Sequence, residues 1–224
     1  NGTLTARERP AGDAVALLQR ARVPMIDDTE DGSRGSGLMH HKFMVVDQKQ
    51  VITGSANFTS SGIHGDAGAD HTRGNVNHLL SIHSDQLAAE FRMEFKRMWG
   101  DGPGGETDSR FGRGKSSRPP RTVQVNGVTV EVLFAPHPRN TDAHGLRLID
   151  QHLSAARRSI DLALFVFSAQ ALSNRLEERM QQGTTIRVLA APGFASRSFS
   201  EVLDLHGLEL PDRFCKLEAG NRPL

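Results

Sequence analysis

Leu38-Met39-His40-His41-Lys42-Phe43-Met44-Val45-Val46-Asp47, followed after six intervening residues by Gly54-Ser55-Ala56-Asn57-Phe58, is the stretch on which the reading of this chain turns. In an extended segment, side chains two apart share a face, so His40 and Lys42 stand together on a face that Phe43 and Val45 do not share. A neutral imidazole is able to attack phosphorus. An ammonium beside it lowers the imidazole's proton affinity and neutralises the phosphate oxygens. These are the two requirements of phosphoryl transfer through a phosphohistidine. Ser55 and Asn57, again two apart, are candidate hydrogen-bond donors to the same anion, and Gly54 lets backbone approach closely. Asp47 has the opposite parity to Lys42 and opens a turn, which makes it structural rather than catalytic. His41 is expected to point away from His40 and to serve packing or hydrogen bonding.

Working outward, the motif lies on two extended runs, 38–46 and 51–53, split by the polar turn 47–50 and predicted to form a hairpin. Upstream, 13–22 reads as a short helix and 23–26 as a strand. Downstream, 79–82 is a further strand. Residues 85–99 are the clearest helix, with Leu87, Phe91, Phe95 and Met98 recurring along one face and Ser84 as N-cap. Periodicity stops at 101–121, where Gly, Ser, Pro and charge take over. Its second part holds Arg110, Arg113, Lys115, Arg118 and Arg121 with no acid, a pattern that suits phosphate or an anionic membrane but is expected to be a solvated linker. Beyond it, Asn126-Gly127 between β-branched residues marks a hairpin over 123–134. Then 143–157 reads as a helix, 160–167 as a buried strand, 169–182 as a helix ending at Gly183, and 185–189 as a strand. Strand, helix, strand with a helix-sized crossover argues for parallel pairing in an α/β fold.

Composition bounds the class without naming a ligand. The 224 residues are 37% hydrophobic and 24% charged, which excludes a collagen, a coiled coil and a wholly disordered chain. The longest apolar run, 162–167, falls far short of the roughly 18 residues of a membrane span. The single cysteine, Cys215, closes no intramolecular disulfide and makes no zinc site by itself, and no partner base marks it as a catalytic thiol. A net charge of +1 supplies no global field for a polyanion, so any phosphate must be drawn locally. His64, Asp66, Asp70, His71, His78 and His83 match no compact metal-ligand spacing and suggest a loop bordering a cleft. Ser196, Arg197 and Ser198 follow a strand end where α/β folds place ligand loops, and either a phosphate contact or an ordinary surface loop fits them.

His40-x-Lys42-x4-Asp47 with Gly54-Ser55-x-Asn57 resembles the HKD signature of the phospholipase D superfamily. That family commonly continues with an Asn-rich strand and an amphipathic helix ending near Trp. Here 74–80 and the helix through Phe95 to Trp99 are similar, so the resemblance covers residues 14–99. Segments 130–136, 160–163 and 187–189 resemble the opening of another repeat. The resemblance implies a phospholipase D-like α/β/α sandwich of two incomplete repeats with mixed sheets. Residues 1–100 would be the closing half of the first repeat, 101–121 a Gly/Pro/basic linker, and 122–224 the opening half of the second. Strands 38–46 and 160–167 would then lie in different sheets.

The activity implied is metal- and cofactor-independent phosphodiester hydrolysis or transfer. His40 would be the nucleophile, with Lys42, Asn57 and Ser55 around the phosphoryl oxygens, acting on a phospholipid or a nucleic acid. The family builds its site from two HKD motifs, and His40-x-Lys42 is the one His-x-Lys pair in these residues. The missing second HKD half of a parent chain is thus the expected partner, and this chain alone is expected to turn over negligibly. Asn77 stands where relatives often carry an acid that orients the histidine; an amide fixes a tautomer but stabilises imidazolium less. A rival class is therefore a non-catalytic polyanion-binding or interaction module on the same fold. A lipid substrate needs an apolar entry patch, whereas nucleic acid needs a basic track with stacking aromatics.

Overall fold

The computed structural model describes residues 14–28, 38–63, 74–104, 108–138, 140–142 and 144–208. Cys215 and the His64, Asp66, Asp70 and His71 positions lie outside them. The chain divides into two compact units, 1–136 and 137–224.

In the first unit, α1 (Ala14–Arg20) precedes a three-stranded antiparallel sheet of β1 (Phe43–Val46), β2 (Gln50–Gly54) and β3 (Leu79–His83), in that order. The short helix α2 (Ser60–Ile63) follows β2. The expected strand over 23–26 is irregular chain. The β1–β2 hairpin turns through Asp47 and Gln48, both in the left-handed region at φ 49° and 61°, and the Lys49 N–H donates to the Val46 carbonyl at 3.0 Å. Two successive positive-φ residues give the turn the twist that flanking strands require, which accounts for a short polar Asp at 47. The first extended run is shorter than its apolar pattern suggests: pairing begins at Phe43, opposite Thr53. The reason is local. The Thr53 hydroxyl donates to the Lys42 carbonyl at 3.0 Å, so a side chain takes the acceptor that a longer ladder would have used.

Helix α3 (Asp85–Trp99) has the predicted bounds. Ser84 is its N-cap, accepting from the Leu87 N–H at 3.2 Å, and Gly100 at φ 60° closes it by donating to the Lys96 carbonyl. Its buried face differs from the expected stripe. Leu87, Ala88, Phe91 and Met98 are buried with Glu90 and Glu94, whereas Phe95 is exposed and stacks on Trp99 at 5.3 Å.

The first core joins Val51, Leu87, Ala88 and Phe91 to Val123 and Phe134. The last two flank or belong to a hairpin of β4 (Arg121–Val125) and β5 (Val128–Val132), turned by Asn126 and Gly127 at φ 50° and 82°. This hairpin therefore completes the first unit instead of opening the second half, and the compact unit runs on to Pro136. A two-stranded ribbon has one apolar face that must be covered, and α3 covers it. The stretch before it is no solvated linker either. Ser109, Phe111 and Lys115 are buried, because the two α3 carboxylates draw the basic residues inward.

The second unit holds α4 (Gly145–Ala155), β6 (Ser159–Leu164), α5 (Gln170–Gln181), β7 (Thr185–Ala190), α6 (Pro192–Ala195) and α7 (Glu201–Asp204). β6 and β7 pair in parallel through the α5 crossover, as the sequence predicts. Ile160, Phe167, Leu172 and Leu176 form their core. β1 and β6 belong to different sheets. The whole is a mixed α/β structure with antiparallel and parallel sheets.

Candidate active site

The β1–β2 register pairs Phe43 with Thr53, so the open end of that hairpin brings the chain before Phe43 alongside the chain after Thr53. The two halves of the motif meet there. His40 is exposed and its carbonyl accepts from the Lys42 ammonium at 2.7 Å; Lys42 itself is half-buried. On the other arm, Gly54 lies so close to the next strand that a Cβ there would stand 2.1 Å from the His78 carbonyl oxygen. Only glycine fits. Ser55 N–H donates to that carbonyl at 3.2 Å, and the His78 N–H returns a bond to the Ser55 hydroxyl at 3.1 Å.

Ser55 then donates its hydroxyl proton to Asn77 Oδ1 at 2.9 Å. Its donor and an acceptor site are spent inside the loop, so the expectation that Ser55 simply offers a proton to an anion is altered. Ser55 shapes the loop that carries Asn57. Asn57 is exposed, and its carbonyl accepts from Thr59 N–H at 2.8 Å. Asn77 is committed in the same way, its amide donating to the Gly62 carbonyl at 3.2 Å and the Asn75 carbonyl at 3.4 Å. It ties the chain just before β3 to α2 and to the loop through Ser55.

The residue that sequence reasoning missed is Glu94. It is fully buried on α3, where its Oε1 accepts from the Lys115 ammonium and from His41 Nε2 at 3.3 Å, and Arg118 approaches Oε2 at 3.7 Å. Burial pushes its carboxyl up, but the bonds from His41 and Lys115 prevail and hold it below its ordinary 4.5. Arg118 also donates to Glu90 at 2.9 Å, so two cations of the basic stretch are already paired. A signal was present. Glu94 lies seven residues after Leu87 and four before Met98, inside the apolar stripe, where an acid demands a partner.

His41 packs tilted on Phe43 at 5.7 Å and edge-on to Phe134 at 5.8 Å. Beside it opens an apolar groove of about 430 Å³ lined by Ile26, Met39, Phe43, Phe95, Trp99 and Phe111, among others, with Asp27 and Asp28 also on its wall. In the second unit, Arg197 donates to the Gly193 carbonyl at 3.0 Å in an exposed loop. Among the described residues no three His, Cys, Asp or Glu gather as metal ligands, and no helix is long and apolar enough to cross a membrane.

Residues 3–99 match the family described as "Cardiolipin synthase, PLD-like domain". Over these residues, fewer than half of the chain, the sequence is similar to the phospholipase D-like family. The chain is also similar to proteins named mitochondrial cardiolipin hydrolase. Identity is 32% over 88 residues with that of Homo sapiens, covering 39% of this chain and 29% of the relative. With that of Mus musculus it is 32%, covering 39% and 34%. With that of Xenopus laevis it is 31%, covering 39% and 35%. The matched region is about a third of each relative's length.

Proposed function

We propose that this protein is a phospholipase D-like phosphodiester hydrolase whose nucleophile is His40 and whose substrate is a phospholipid. The observation that carries the proposal is the open end of the β1–β2 hairpin, where the segment bearing an exposed His40 and Lys42 runs alongside the arm that leads into the Gly54–Asn57 loop, in a stretch similar to a phospholipase D-like domain. The His40 imidazole nitrogen attacks phosphorus, a P–N bond forms, and the P–O bond to the leaving alcohol breaks with its electron pair on oxygen. Lys42 turns from the His40 carbonyl to the non-bridging oxygens, and Asn57 donates to them. A second histidine of the family's paired arrangement, expected from the second HKD half of a parent chain, protonates the leaving oxygen and later activates water. Nuclease chemistry is less supported, because Lys115 and Arg118 are spent on α3 carboxylates while the groove beside the motif is apolar. The name of the relatives agrees with a lipid.

The test uses a diester whose leaving group departs as an anion and needs no proton, bis(p-nitrophenyl) phosphate. The chain is expected to release about one p-nitrophenolate per molecule and then stall, because covalent catalysis splits attack from hydrolysis. His40→Ala abolishes the burst. A burst of parent size in His40→Ala assigns the nucleophile elsewhere. The commitment of Asn77 to the loop supports the rival, a non-catalytic anion-binding module, which would bind vesicles containing anionic phospholipid without any burst.

A further inference from the structure

His40 lies before β1 begins, so no ladder hydrogen bond holds it, yet covalent attack needs the imidazole within a few tenths of an ångström of one place. The backbone around it is instead held by side chains. Asp28 accepts from the Met39 N–H at 2.8 Å, and the Thr53 hydroxyl donates to the Lys42 carbonyl at 3.0 Å. Between them stands His41, whose ring is gripped by Phe43 and Phe134 and whose Nε2 meets the Glu94 carboxylate. Lys115, with Arg118 nearby, already neutralises that carboxylate, so His41 is not needed for charge balance. What the His41 bond adds is a tether from the chain beside the reactive residue to the buried face of α3. His40 and His41 are consecutive residues of a segment held at Met39 on one side and Lys42 on the other, so a bond that fixes the His41 ring also restricts the backbone from which the His40 side chain leaves.

We propose that Glu94 is a positioning residue for His40, acting through the His41 imidazole. The inference rests on the phosphodiesterase assignment, and its test separates the two. His41→Phe keeps the aromatic packing and removes the hydrogen bond, whereas His41→Gln restores a donor at the cost of the ring. The p-nitrophenolate burst of His41→Phe is expected to slow by about tenfold or more, with half-saturation unchanged within about twofold. His41→Gln is expected to recover the parent rate within about threefold. A purely packing role predicts the reverse order. A parent rate in His41→Phe, or a Gln variant no faster than Phe, overturns the proposal.

Should His41→Phe fail to fold, Glu94→Leu with Lys115→Met removes acceptor and cation together, an exchange that buried ion pairs often tolerate. It is expected to slow the burst as His41→Phe would, and the parent rate in it overturns the proposal. In histidine-labelled protein the His40 ring signal, identified by its loss in His40→Ala, is expected to be single in the parent and doubled or broadened in whichever of these variants folds. An unchanged signal overturns the positioning role. An absent burst in the parent together with the spectral change overturns the phosphodiesterase assignment alone.

Discussion

Gly54 shows how narrow the tolerance of this site is at the level of one atom. Its missing Cβ leaves room for the His78 carbonyl, which in turn accepts from Ser55 and fixes the loop bearing Asn57. Gly54→Ala must push two backbones apart and is expected to cost about 3 kcal/mol, as overpacking does. Gly193→Ala meets nothing within 4 Å and is expected to stay within about 0.5 kcal/mol. Chemical denaturation of the two variants checks this, and equal losses would remove the close-approach account. Sequence showed that a glycine here permits proximity, but not which atom would come close. Likewise it showed Ser55 and Asn57 sharing a parity, while the Ser55 bond to Asn77 depends on a segment 22 residues later in the chain, just before β3. Such a bond is invisible to local pattern.

At the scale of elements, α3 was legible to its ends because cap, stripe and terminal glycine agree. Its inward face was less so. The spacing of Phe95 fits a helical stripe as well as Glu94 does, and hydrophobicity alone prefers the phenylalanine; the structure buries the glutamate because Lys115, His41 and Arg118 converge on it. The same blindness made 110–121 read as a solvated linker, since counting charge along the chain does not reveal an acidic partner on another element. One consequence is a pH dependence. Glu94 is held below its ordinary 4.5, so its stabilising contribution is complete above that value and is lost as pH falls through the lowered one. His41, Lys115 and Arg118 face Glu94 directly, and Glu90, one turn earlier on α3, faces Arg118 and Arg121. The melting temperature of the parent is expected to drop below pH 4.5 more steeply than that of the Glu94→Leu, Lys115→Met pair. Parallel profiles would show that Glu94 does not govern acid stability. Lys115→Met alone leaves the carboxylate buried and is expected to cost about 3 kcal/mol at neutral pH.

For the whole molecule, the division into two units at Pro136 places the motif, its loop, α3 and the β4–β5 hairpin together, so the proposed nucleophile and its tether belong to one folded body. The parallel β6–α5–β7 segment is an independent α/β element with its own core. The broad fold was legible because each element carries its own period and punctuation; the allocation of the hairpin was not, since either unit has an apolar face to offer a ribbon. In the proposed reaction His40 forms a bond to phosphorus. The most direct measurement of that bond is peptide mass spectrometry after reaction with bis(p-nitrophenyl) phosphate and an alkaline quench, which preserves a phosphorus–nitrogen bond. A nitrophenyl-phosphoryl adduct is expected on the peptide containing His40, fragmenting to that residue and absent from His40→Ala; an adduct on any of the other nine histidines, or one that survives the substitution, would contradict a His40 nucleophile.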